Sequence, residues 1–196
     1  MVGIYISFAV GIAHFSSGRK RIEDHAHEIN QRLTLLSTPT RVIDWYHSTG
    51  NLVAKTPKHN RREIADELSL ALGVPCTVLT TDEVISCISI AEKADSPPAE
   101  TGIRWTKGIA FEVKGRPCTV DLKPTPRAVF FRINGFTLGV NKKETLTDQG
   151  ALNKDDRVAG WGDVSDAVAK EVGGLWTARS LVGVKGVVEK ARKHVS

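Results

Sequence analysis

Between Val2 and Ala94 the chain alternates extended apolar runs with capped helical stripes, and this alternation narrows the possible folds more than any other feature. Val2–Val10 carries the β-branched and aromatic density of an interior strand. Gly11–Gly18, with two glycines and two serines, reads as a loop. From Lys20 the residues Ile22, Ala26, Ile29, Leu33 and Leu36 recur at steps of four and three, one face of a helix that Pro39 ends. Arg41–Tyr46 and Leu52–Lys55 are short strands around His47-Ser-Thr-Gly-Asn51, where Gly50 and Asn51 tolerate the positive φ of a tight hairpin. Asn60 with Glu63 forms a capping box for a helix with Ile64, Leu68 and Leu72 on its buried stripe and Gly73 at its end. Val74–Leu79 is again a strand, and Thr80 with Glu83 caps a third helix running to about Ala94.

The order is β-α-β-β-α-β and then a helix, which predicts a ferredoxin-like α+β subdomain over residues 1–96. Asp95-Ser-Pro-Pro-Ala-Glu100 is a polar connector and marks the boundary. Residues 97–196 are expected to form a small antiparallel sheet with C-terminal helices. Strands are predicted at Ile109–Val113, Cys118–Leu122, Ala128–Ile133 and Phe136–Val140, the last two flanking the hairpin signal Asn134-Gly135. A long loop is expected from Asn141 to about Asp156. Helices are predicted over Asp163–Val172 and Ser180–His194, with Gly173-Gly174 between them.

Apolar residues make up 41% and charged residues 25%, enough for a packed core and against wholesale disorder. The apolar N-terminus lacks the charged start of a signal peptide and is too short to span a bilayer, so no membrane partner is expected. Cys76, Cys87 and Cys118 are an odd number without metal-ligand spacing, and they sit among apolar neighbours such as Val74-Pro-Cys-Thr-Val78. They read as reduced, buried, inert thiols, and so point to a reducing, cytoplasmic home. The histidines are scattered, and His25 and His27 point in different directions on a helix. No metal site and no cofactor are therefore expected.

Three stretches carry a resemblance. Tyr5-Ile-Ser-Phe-Ala-Val-Gly-Ile-Ala13 resembles an opening "YIALLRGIN" segment, Tyr46-His-Ser-Thr-Gly-Asn-Leu-Val53 a "YIQSGNVV" hairpin, and Thr177-Ala-Arg-Ser-Leu-Val-Gly-Val184 a C-terminal "TARNWNTV". These are segments of the bacterial uncharacterised family DUF sixteen-ninety-seven. Val10 and Ala13 stand where that family usually has Arg and Asn, and Ser180-Leu181 where it has Asn-Trp. The resemblance implies a two-subdomain α+β fold and, since the family has no agreed activity, no reaction.

No catalytic signature is present: there is no GxSxG, no HExxH and no framed pair of carboxylates. Asp44 and Asp121 lie in strand-like settings. The charge distribution is more informative. Residues 1–96 hold 10 Lys/Arg against 11 Asp/Glu, residues 97–143 hold 9 against 3, and residues 144–196 hold 8 against 8, so the whole basic excess lies in the middle. There Trp105, Phe111, Phe130, Phe131 and Phe136 are interleaved with Arg104, Lys107, Arg116 and Arg132, as in sheets that stack single-stranded nucleic acid. The same pattern also describes a half-buried strand. Arg19, Lys20 and Arg21 follow the first loop at a helix start, a natural anion site, although the glycine spacing is not that of a P-loop. Arg179, near the start of the last predicted helix, opposes the helix dipole and so needs a reason, either a tie to the other subdomain or a hold on an anionic ligand. The residues thus favour a non-catalytic binding protein for an anionic partner such as nucleic acid, acting through the basic 97–143 sheet. The alternative is an enzyme or sensor for a small phosphorylated or carboxylated molecule held between the subdomains.

Overall fold

The computed structural model describes residues 2–10, 22–46, 50–93, 103–113, 128–131, 136–143, 165–166, 168–169 and 173–195. Its architecture is mixed α+β with two four-stranded antiparallel sheets.

The first sheet is built from β1 (Gly3–Ala9), β2 (Arg41–Tyr46), β3 (Asn51–Thr56) and β4 (Cys76–Thr80), with α1 (Ile22–Leu35) and α2 (Arg61–Leu72) between strands and α3 (Thr81–Lys93) after the last. The spatial order is β2-β3-β1-β4, and every neighbouring pair is antiparallel. Local chemistry explains the boundaries. Asn60 caps α2 by accepting from the Arg62 N–H at 3.0 Å, and its amide donates to Glu63 at 3.2 Å, so the expected box forms through side chains. Gly73 ends α2 at φ 74, a left-handed conformation that favours glycine, with its N–H on Ser69 O at 2.9 Å. At α3 the box is fully reciprocal. The Thr80 N–H donates to Glu83 Oε2 at 2.9 Å, and the Glu83 N–H donates to Thr80 Oγ1 at 3.3 Å. Leu36, expected on the buried stripe of α1, is instead 46% exposed, because the helix stops at Leu35 and the chain turns through Ser37 at φ 53.

The second sheet contains β5 (Ile103–Glu112), β6 (Ala128–Phe131), β7 (Phe136–Lys143) and β8 (Trp176–Ser180), followed by α4 (Leu181–Arg192). Three features differ from the sequence reading. β5 begins six residues before the expected Ile109. β7 runs to Lys143, through positions expected to be loop. A strand, β8, lies just before the last helix, where only a glycine-rich connection was foreseen. Five residues, with Arg179 fourth among them, give too weak a period-2 signal to betray a strand; pairing with β5 from Gly108 to Glu112 makes it one. The predicted strand Cys118–Leu122, the connector at 95–100, the loop Gly11–Gly18 and the turn Asn134-Gly135 lie outside the described residues, as do residues 47–49 and most of the helix expected over 163–172.

The spatial order of the second sheet, β6-β7-β5-β8, repeats that of the first with each strand replaced by its counterpart. The correspondence reaches individual residues. Phe8 of β1 pairs with Thr77 of β4, and Phe111 of β5 pairs with Thr177 of β8. β4 runs directly into α3, as β8 runs into α4. Counterparts then meet: the rings of Phe8 and Phe111 stack at 4.4 Å between centroids and 6° between planes, and α3 packs on α4.

Strand alternation divides the first sheet between two cores. Tyr5, Ala9, Ala54 and Val78 face Ile29 and Leu33 of α1 and Ile64, Leu68 and Leu72 of α2. Ile6, Phe8, Val53 and Leu79 join Val84 of α3, Ile109 and Phe111 of β5, and Val184, Val187 and Val188 of α4. This second core unites the two sheets, and each fully buried large side chain in it contributes roughly 1.5–3 kcal/mol. Among the described residues no helix is long and apolar enough to cross a membrane.

Candidate functional site

The end of β1 is held from three sides. The Ala9 N–H donates to Gly50 O at 3.0 Å, and the Val10 N–H donates to Pro75 O at 2.8 Å. Ala9 O accepts from Thr177 Oγ1 at 3.3 Å and from Nη2 of Arg179. Arg179 also donates through Nε to Asn51 Oδ1 at 2.8 Å and through Nη1 to Ala178 O at 2.8 Å. Asn51, the first residue of β3, is 1% exposed. Ala9, Asn51 and Arg179 thus come from β1, β3 and β8, and each belongs to one of the three stretches that carried the family resemblance. Segments up to 170 residues apart in the chain meet at one point.

The first turn of α4 borders the same place. Ser180 caps it, accepting from the Gly183 N–H at 3.1 Å. A Cβ at Gly183 would lie 3.6 Å from Asn51 Nδ2, so the helix begins beside the Asn51 amide. A helix N-terminus presents unsatisfied N–H groups with partial positive charge. Burial pulls the guanidinium of Arg179 down to about 10, still cationic at neutral pH. Three of its acceptors are the Ala9 and Ala178 carbonyls and the Asn51 amide oxygen. Chemically, a desolvated cation, an amide and a positive helix end suit an anionic group. They supply neither a nucleophile nor a general base.

The dipole conflict foreseen for Arg179 is resolved by its placement in β8, two residues before α4, with its side chain directed to the end of β1. Its ties to the first sheet include hydrogen bonds to Ala9 O and Asn51 Oδ1. Arg104 and Lys107 lie on β5, opposite Lys142 and Gly139 of β7. Arg19, Lys20, Arg21, Arg116 and Arg132 lie outside the described residues. Asn51 was not singled out from sequence as a site residue; its position after Gly50 reads as turn chemistry, and only the fold brings it to Arg179.

The other reactive groups are engaged elsewhere. Cys76 and Cys87 are buried and free, and burial pushes both thiols up, away from nucleophilic use. Asp44 accepts from the Trp45 N–H at 2.8 Å and lies 3.2 Å from Lys190 Nζ and 3.3 Å from His194 Nε2, tying β2 to the end of α4. Cys118 and Asp121 lie outside the described residues. Among the described residues no group of three His, Cys, Asp or Glu could hold a metal ion.

Neither a family model nor a curated protein matches the chain. Its fold is shared with a solved structure, the conserved bacterial protein SP0830 from Streptococcus pneumoniae. The two superpose with a TM-score of 0.53 at 13% identity, covering 98% of this chain and 99% of that one. The likeness therefore extends over both sheets. At that identity it speaks for the fold alone.

Proposed function

We propose that this protein binds a small anionic molecule, phosphorylated or carboxylated, where the end of β1, the start of β3 and the β8–α4 junction meet. The observation that carries this reading is Arg179, a desolvated guanidinium beside the N-terminus of α4 where β1, β3 and β8 meet. Guanidinium pairs well with carboxylate and phosphate because its planar fork matches their oxygens. On this reading the chain is a non-catalytic, cytoplasmic binder or sensor built as two subdomains, 1–96 and 97–196. It is also a divergent member of DUF sixteen-ninety-seven, since the three resembling segments meet at the proposed site.

Thermal unfolding with inorganic phosphate, a nucleoside monophosphate and a dicarboxylate tests the proposal. A ligand present at 100 times its Kd adds about 2.7 kcal/mol, roughly 5–10 °C for a chain of this size. Arg179→Lys should keep the fold and weaken that shift at least tenfold in ligand concentration, because a single ammonium cannot replace the fork. No shift with any anion, or an equal shift in the variant, would overturn the assignment.

A further inference from the structure

The two halves cap equivalent helices differently. Thr80 and Ser180 stand just before α3 and α4. Each hydroxyl accepts from a first-turn N–H, that of Glu83 at 3.3 Å and that of Gly183 at 3.1 Å. In the first half the Glu83 carboxylate completes the cap. Its Oε2 accepts from the Thr80 N–H at 2.9 Å and from the Thr80 hydroxyl at 3.1 Å, while Oε1 accepts from Arg61. One carboxylate thus serves a helix cap and a guanidinium together. In the second half Gly183 holds the equivalent position and has no side chain to offer.

The donors of that cap are nevertheless in place. Ser180 Oγ spends a lone pair on the Gly183 N–H, so its own hydrogen is left to donate. Asn51, 1% exposed, gives its Oδ1 to Arg179. Among the described residues neither the Ser180 hydroxyl hydrogen nor the Asn51 Nδ2 has an acceptor. Both groups border one place. A Cβ at Gly183 would lie 3.1 Å from Ser180 Oγ and 3.6 Å from Asn51 Nδ2. The first distance is tight for a carbon and close to hydrogen-bond length for an oxygen. Charge differs in the same sense. α3 carries Asp82 and Glu83 in its first turn, and α4 carries no acidic residue there, so its own first turn leaves the positive helix end uncompensated. Arg179, bonded to the same Asn51 side chain, stands to this place as Arg61 stands to Glu83.

We infer that a carboxylate from outside the chain completes the α4 cap, in the role that the Glu83 side chain plays at α3. This rests on the anion site proposed at the Arg179 junction and narrows its ligand to a small carboxylic acid. Ser180 and Asn51 donate to one carboxylate oxygen, and Arg179 balances the charge. Gly183 sets the specificity, because any side chain there fills the oxygen's place. A phosphoryl group brings a third oxygen, for which the Glu83 arrangement has no counterpart.

Calorimetric titration of the full chain with acetate, succinate and inorganic phosphate at constant ionic strength tests this. At least one carboxylate should bind more tightly than phosphate. Gly183→Ala puts a methyl in the oxygen's place, while alanine's helix propensity keeps or raises the Tm. Carboxylate affinity should fall more than about tenfold, since the buried donors lose their acceptor. Gly183→Glu writes the capping residue of α3 into α4. Its Tm should exceed the parent's, and succinate should no longer raise it. Tighter binding of phosphate, unchanged affinity in Gly183→Ala, or a lower Tm in Gly183→Glu would overturn the inference and leave the Arg179 reading standing. No binding of any of the three anions would overturn both.

Discussion

Asp44 shows how one side chain makes the last helix depend on pH. Burial raises its carboxyl, but the Trp45 N–H, His194 and Lys190 more than offset this, and the net result lies below the ordinary carboxylate value. A carboxyl with a lowered folded pKa contributes stability that is complete above its unfolded value, near 3.8, and is lost as pH falls through the folded one. Stability should therefore drop in acid partly because Asp44 lets go of Lys190 and His194. Asp44→Asn should be less stable at neutral pH, by about 1–3 kcal/mol, and should show a shallower loss below pH ~4 when urea midpoints are compared. Arg179 is the residue least legible in the sequence. Its charge and its likeness to a motif were visible, but its partners Ala9 and Asn51 lie 170 and 128 positions away, and no local pattern encodes contacts so distant.

At the scale of elements, legibility followed the strength of local chemistry. The reciprocal box of Thr80 and Glu83 and the left-handed Gly73 are short-range devices, and the helices they bound lie where the sequence places them. β8 was missed because five residues cannot show a period, and β7 was shortened because Asn141-Lys-Lys143 looks like loop when its cross-strand partners are unseen. The packing of α4 was also invisible, and one glycine sets it. A Cβ at Gly186 would come within 2.2 Å of the Tyr46 ring, so the helix lies directly on the aromatic face of β2's last residue. Gly186→Ala gains helix propensity of about 1 kcal/mol, yet it must push the ring or the helix aside. It should destabilise the protein by about 1–3 kcal/mol net, read as a lower urea midpoint with an unchanged m-value.

For the whole molecule, the repeated strand order means that counterpart elements face one another across the shared core, as in the self-complementary contact of a two-fold dimer. Departures from that equivalence give one half what the other lacks. Ser180 and Thr80 both precede a helix at the end of a strand, but the residue before each is Arg179 in one half and Leu79 in the other, so only one junction carries a cation. Residues 1–96 alone would present Ile6, Phe8, Val53 and Leu79 to water on the face that β5 and α4 cover. That fragment should self-associate, eluting above its monomer mass in size-exclusion chromatography, and adding residues 97–196 in trans should return it to a one-to-one complex. A monomeric, well-folded fragment would count against this account of the shared core.

The stacked pair Phe8–Phe111 has a consequence for synthesis on the ribosome. Its first ring is translated about a hundred codons before its second, and α4, which completes the same cover, follows later still. At roughly 5–20 residues per second, the apolar face of the first sheet waits about five to twenty seconds for its lid. During that interval the nascent chain carries a sticky surface that its own future sequence is meant to occupy. Chaperone demand should therefore be set by the speed of translation through the second half, and slow codons there should cost more soluble protein than slow codons in the first.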